Sequence, residues 1–194
     1  TRPDLDTLAS AQALATFFAP LAQTTCGLPE KFERSHFPSS GLNPKKISNI
    51  RDFDVVVCVD FRSPNQAGEL EGALCAFNGK IITLDHHSPS SSEFAGKGIK
   101  KLIRPASVAT AQMVAQIGIA QRKKFSKTIA ANLAAAMVAD SARFSIANPE
   151  TFSVFDFLLR KSRKTYEQII QMAFPSLSLS ERLSIIRNLG KTEV

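Results

Sequence analysis

The chain has 194 residues, 24 of them Lys or Arg and 17 Asp or Glu, for a formal charge of +7 with 44% hydrophobic residues. Those proportions exclude disordered, collagen-like and low-complexity architectures, and the length fits one globular domain, since domains usually run to about 100–200 residues. The longest apolar stretch, 129–139, is interrupted by Asn132 and falls short of the roughly 20 residues that a membrane helix needs, so no membrane span is expected.

Thr1, Arg2, Pro3, Asp4 and Asp6 stand where a secretory signal would carry a basic start and an apolar core, which argues against secretion. Cys26, Cys58 and Cys75 are an odd set without close pairing. Free thiols in a reducing cytoplasm are the simplest reading. The positive balance permits attraction to phosphate-rich partners and equally suits a solvated surface.

Leu5, Leu8, Ala9, Ala13, Leu14, Phe17 and Phe18 recur at helical spacing, and the pattern stops before Pro20, which predicts a first helix. Residues 24–49 hold Gly27, Pro29, Pro38, Gly41 and Pro44 and predict turns, with KFERSHF (31–37) as one short strand. The Val-rich run from Phe53 to Asp60 predicts a strand buried on both faces of a parallel sheet, covered by a helix over 67–77. KIITLDHH, from Lys80, predicts a second strand, and GIKKLIRP, from Gly98, a third.

From Ser107 onward the spacing turns helical, in SVATAQMVAQIGI, SKTIAANLAAAMVAD, TFSVFDFLLRKS, TYEQIIQMAF and SLSERLSIIRNLG, with Ser107, Ser126 and Ser180 as helix N-caps. This order predicts a Rossmann-like, doubly wound α/β domain: a mainly parallel sheet, flanking helices and a helical C-terminal third. Its α/β core spans 1–147 and its helical extension 148–194. In such folds the ligand crevice lies beyond the C-terminal ends of the strands.

Four places put carboxylate or imidazole groups near such a crevice: Asp4 with Asp6, Asp60 after its strand, Asp85-His86-His87 after the next, and Asp140 at the end of an Ala-rich helix. Helical residues two apart point in nearly opposite directions, so Asp4 and Asp6 converge only if Asp4 still belongs to the loop, a placement that Pro3 favours. Each group has a plainer reading as a cap, a turn or a strand-end residue. His36 reads as an ordinary surface histidine. Two like charges about 4 Å apart repel by roughly 4 kcal/mol at an effective dielectric of 20, so converged carboxylates need raised pKa values or cations. Oxygen-rich ligands with one or two imidazoles suit Mn²⁺ or Mg²⁺, and no cysteine joins the set.

PDLDTLAS, VCVD, LDHH and VADSARF, in that order, resemble the four signature segments of the DHH phosphoesterases. That superfamily holds RecJ-like single-strand exonucleases, oligoribonucleases of the nanoRNase type, cyclic-dinucleotide phosphodiesterases and family II inorganic pyrophosphatases. The opening segment is most similar to the nanoRNase branch. The resemblance implies two Mn²⁺ or Mg²⁺ ions, with Asp4 on the first, Asp6 on the second and Asp60 bridging both. His86 and Asp140 complete the ligand set of the second ion. His87 then faces the scissile phosphate, Asp85 orients its neighbours, and Arg143 meets a phosphate oxygen. Asp60, His87 and Asp85 are thereby the implied catalytic set.

The resemblance also implies a metal-binding histidine four positions before Asp4, which falls immediately ahead of Thr1, so an incomplete N-terminus is expected. A C-terminal substrate-binding domain, with its glycine-rich loop, has no counterpart after Asp140; a further domain or a partner chain is expected to supply it. The implied chemistry is hydrolysis of short or single-stranded nucleic acid or of a cyclic dinucleotide. The rivals are an inorganic pyrophosphatase and a catalytically silent scaffold in a replication or repair assembly. Basic clusters at Lys97–Arg104, Arg122–Lys124 and Arg160–Lys164 read as solvated surface.

Overall fold

The computed structural model describes residues 3–30, 40–88, 93–94, 96 and 98–175. The strand expected over 31–37, with His36, and the helix expected to start at Ser180 lie outside them. In chain order the described elements are α1 (Leu5–Phe18), β1 (Gly27–Leu28), β2 (Lys45–Lys46), β3 (Val55–Val59), a 3-10 segment (Pro64–Leu70), α2 (Glu71–Cys75), β4 (Lys80–Asp85) and β5 (Ile99–Ile103). Four helices follow: α3 (Thr110–Ala120), α4 (Lys127–Asp140), α5 (Pro149–Ser162) and α6 (Tyr166–Ala173).

Strands β3, β4 and β5 form a parallel sheet in that order, and β1 pairs with β2, also parallel, apart from it. Because neighbouring side chains on a strand face opposite sides, Cys58 and Val59 enter different cores. Val59 and Leu84 join the larger core, built with Leu8, Phe17, Val114, Leu133, Met137 and Leu158 from the helices. Cys58 and Ile81 join Ile50, Ala67, Leu74 and Phe94 in a smaller one. The fold is thus α/β, with parallel sheets flanked by helices. Among the described residues no helix is long and apolar enough to cross a membrane.

Helix α4 is the hub of the larger core: every residue from Ile129 to Val138 is buried. Ala130, Ala131, Ala134, Ala135 and Ala136 keep its surface thin, so α1, α5 and α6 all pack against it. Leu158 of α5 is 0% exposed in this core. Its replacement by Ala leaves a void that rigid neighbours fill only partly, so Leu158→Ala is expected to cost about 2–5 kcal/mol in urea unfolding. A loss below about 1 kcal/mol would contradict close packing at this position.

Three expectations need correction. Val55 and Val57 are 43% and 40% exposed, so β3 is not buried on both faces; among the described residues it is an edge strand, paired only with β4. The helix expected over 67–77 is broken at Gly68, whose φ of 57° and ψ of −127° are not helical; a 3-10 segment and the short α2 take its place. Helix α3 begins at Thr110 rather than Ser107, and its N-cap, Ala109, has no side-chain oxygen to offer.

A carboxylate and imidazole centre at the strand ends

Parallel strands end on one side, and there the register sets the candidate side chains next to one another. Asp60 follows β3, and its N–H donates to the Leu84 carbonyl at 2.7 Å, beside Asp85 at the end of β4. The backbone of Asp60 is left-handed, with φ 66°, a conformation uncommon for a residue with a Cβ but more accessible to Asp than to most. That turn sends its carboxylate toward the helices. Its Oδ2 accepts from the Thr7 hydroxyl at 2.8 Å and its Oδ1 from the Thr110 hydroxyl at 3.1 Å.

Asp6 reaches the same place from α1. It is 1% exposed and takes the part of the missing cap of α3: Thr110 N–H donates to Oδ2 and Ala111 N–H to Oδ1, both at 2.7 Å. Orphan amides at a helix start favour an anion. Burial nonetheless pushes the Asp6 carboxyl well above the usual carboxylate range, and the charges of Asp60 and Asp140 push the same way, against the pull of those two amides. Burial first, and then the Asp4 carboxylate, raises Asp60 to about 6.

His86 sits between these acids. Its Nε2 lies 2.9 Å from Asp140 Oδ2 at the end of α4, 3.7 Å from Asp60 Oδ1 and 4.0 Å from Asp6 Oδ2. Burial lowers its pKa, but the close Asp140 contact, with the charges of Asp6, Asp140 and Asp60, outweighs that and holds it at about 9. The Nδ1 lies 3.3 Å from the Ser107 carbonyl, which can only accept, so Nδ1 carries the ring's proton. Nε2 is then the buried atom that faces the carboxylates; with the pKa at about 9 it also carries a proton at neutral pH, and once that proton leaves it presents a lone pair to the same acids. Carboxylates and an imidazole nitrogen converging on one point need a cation among them, either the Nε2 proton or a metal ion in its place, which is the orientation of a metal-binding imidazole.

Two groups of ligand atoms meet this requirement: Asp6, His86 and Asp140, and Asp60, His86 and His87, each within a 4.8 Å span. They share His86 and form one continuous centre. All are oxygen or imidazole donors, a set suited to Mn²⁺ or Mg²⁺, and no cysteine is among them. The residues therefore fit a divalent metal.

The neighbouring groups are placed less centrally. Asp4 is the N-cap of α1, with extended backbone; its Oδ1 accepts from Thr7 N–H at 2.9 Å, and it belongs to neither metal-capable group among the described residues. His87 is half-exposed, and its Nδ1 lies 2.7 Å from Asp85 Oδ1, leaving Nε2 free to meet a ligand. Asp85 is 1% exposed and also accepts from His87 N–H. Arg62 stands 3.6 Å from Asp85 Oδ2 and donates to the His87 carbonyl at 2.7 Å, compensating the buried charge and bracing the turn.

Past Asp140, Ala142, Arg143 and Phe144 are successively left-handed, with φ of 48°, 57° and 70°. Such a turn costs roughly 1–2 kcal/mol per residue. It is held by Arg143 N–H on the Val138 carbonyl, by Phe144 N–H on the Ser141 hydroxyl at 2.9 Å, and by the Phe144 ring against Phe155 at 4.7 Å. The Arg143 guanidinium lies over the Phe174 ring, 4.5 Å from its centroid, rather than among the acids.

A family model described as "DHH family, N-terminal domain" matches residues 1–139, which takes in all the acids and imidazoles of the centre but Asp140. The chain belongs to the DHH family. A search of curated proteins found no match. Among solved structures, an exopolyphosphatase-related protein from Bacteroides fragilis superposes with a TM-score of 0.73 at 21% identity, over 99% of this chain and 59% of that one. The likeness shows that this DHH chain shares the fold of that protein and spans about three-fifths of its length.

Sequence reasoning passed over two residues of this DHH centre and misjudged a third. Thr7 stands three residues after the capping Asp4, a spacing that marks it as a helix-start residue and gives no hint of its reach to Asp60. Arg62 carries no sequence signal. Ser107, expected as a cap, instead offers its carbonyl to His86.

Proposed function

We propose that this chain is the catalytic part of a metal-dependent phosphoesterase that hydrolyses phosphodiester bonds in short or single-stranded nucleic acid or a cyclic dinucleotide. The observation that carries the reading is the convergence of Asp6, Asp60, Asp140 and the Nε2 of His86 from four separate segments of the chain. Asp6, Asp60, His86 and Asp140 would hold one divalent cation, and Asp60, His87 and Asp4 border the space for a second. Such ions, when bound, acidify water and stabilise charge on a phosphoryl group.

The chain's own side chains do the rest. Asp85 fixes the His87 ring, so that Nε2 points outward to meet a phosphate oxygen or give up a proton. Arg62 steadies Asp85 in its orienting role. Arg143, released from Phe174, would reach a phosphate beyond the centre, and its cation stacked on an exposed ring is a cheap resting place.

The test is turnover with Mn²⁺ of labelled short RNA, single-stranded DNA, a cyclic dinucleotide, pyrophosphate and inorganic polyphosphate. The last two cover the pyrophosphatase rival and the substrate class named for the Bacteroides fragilis neighbour. Phosphodiester substrates are expected to be cleaved fastest. Faster turnover of pyrophosphate or polyphosphate would replace the substrate assignment, and Mn²⁺ binding without any turnover would favour the scaffold.

A further inference from the structure

Asp60 lies just past β3, on neither a helix nor a strand, with a left-handed backbone, and its carboxylate is held from the helices. Two threonines on different helices do so. Thr7 of α1 gives its hydroxyl to Oδ2 at 2.8 Å, and Thr110 of α3 gives its hydroxyl to Oδ1 at 3.1 Å. Each threonine also grips one acid of the Asp4/Asp6 pair through its backbone: Thr7 N–H donates to Asp4 at 2.9 Å and Thr110 N–H to Asp6 at 2.7 Å. A hydroxyl has one proton, and the Thr7 hydroxyl is closer to Asp60 than to Asp4, at 2.8 Å against 3.1 Å, so the proton goes to Asp60.

We propose that Thr7 and Thr110 are paired positioning residues that lock Asp60 against Asp4 and Asp6, and so set the affinity of the centre for its divalent cation. A carboxylate held by two donors has its remaining lone pairs aimed in fixed directions, and outer partners of metal ligands typically govern affinity by about 10–100-fold. The inference rests on the reading of the centre as a metal site.

The test is a titration of the full chain with Mn²⁺ followed by electron paramagnetic resonance of the free ion, with melting by circular dichroism alongside. Val copies the shape of Thr without its hydroxyl, so Thr110→Val and Thr7→Val are each expected to weaken Mn²⁺ binding by at least about tenfold. Thr110→Ser and Thr7→Ser keep the donor and should stay within about threefold of the parent, a rescue that a purely structural role would not produce. Val variants that bind Mn²⁺ as the parent does would overturn the proposal, as would Ser variants as weak as Val. If Thr110→Val does not fold, the half-buried Thr7 pair decides by the same criterion. A parent chain that binds no Mn²⁺ defeats the metal reading itself, a separate outcome.

Discussion

Asp60→Asn is expected to abolish metal-dependent hydrolysis while leaving the metal-free protein at least as heat-stable as the parent near pH 8. Both halves follow from one carboxylate. Asp60 belongs to one metal-capable group, with His86 and His87, and lies 3.7 Å from the His86 Nε2 that this group shares with Asp6 and Asp140. Loss of an outer partner costs roughly 10–100-fold, so loss of a carboxylate in the metal-capable group itself should exceed that range in turnover. In the metal-free fold, however, the ionised group is a burden. Burial and the Asp4 charge raise it to about 6, which means that at pH 8 its ionised form is less favourable folded than unfolded.

Asparagine keeps the shape and still offers the threonine hydroxyls an acceptor, but it brings no charge. The same variant should lose the stabilisation that metal gives the parent, which amounts to about 2.7 kcal/mol at a hundred times the dissociation constant. Turnover, and melting curves with and without Mn²⁺, check all three statements. Full activity in Asp60→Asn would remove Asp60 from the mechanism, and a large drop in the metal-free melting temperature would mean that the charge supports the fold rather than straining it.

The residues of the centre stood out in the sequence because charge is costly beside apolar runs. Asp60 and Asp85 end Val- and Ile-rich strands, and Asp140 ends a helix that is otherwise buried from Ile129 to Val138. Parallel strands deliver their ends to one side, so α/β order and strand-end acids together point to a single location. Strands β3, β4 and β5, α1 and the four later helices were legible for the same reason of periodicity, whereas β1 and β2 fall in a stretch that reads as turns. The local conditions of the legible elements were not. The start of α3 was misplaced because its cap is Asp6, 104 residues earlier, and no window around Ser107 contains it. The exposed face of β3 was missed because an apolar run looks the same on an edge strand as in a sheet's middle.

Asp4 shows a different limit. The spacing required it to sit in the loop, and it does, but the carboxylate that caps α1 through Thr7 is drawn aside from the metal-capable groups. A cap and a ligand are both ordinary uses of an aspartate at a helix start, and only coordinates separate them. The reach of the two threonines to Asp60 was not legible for the opposite reason. Thr is common on helices, and what makes Thr7 and Thr110 special is a partner 53 and 50 residues away.

Metal binding to this centre should tighten with pH, by about tenfold per unit between pH 6 and 9, because one proton must leave before the ion can enter. His86 is held at about 9 in the metal-free protein, so at neutral pH it carries the proton that stands in for the cation among Asp6, Asp60 and Asp140. Below about 6 the protonation of Asp60 adds a second competitor, and the dependence steepens. The metal-free fold responds in the opposite sense. A histidine raised from its ordinary 6.5 gives stability that is complete below 6.5 and is lost as pH rises through 9. Asp60, raised from 3.8, adds to the loss, since its ionisation between 3.8 and 6 is disfavoured in the folded state. Melting temperature without metal is therefore expected to fall from about pH 6.5 to about pH 9, and saturating Mn²⁺ to reverse much of that fall by taking the place of the His86 proton. Isothermal titration with Mn²⁺ in buffers of different ionisation enthalpy would count the proton directly. Release of close to one proton per ion at pH 7.5, absent in His86→Ala, is the expected result; no release, or affinity independent of pH, would mean that His86 is not held protonated by its three acids.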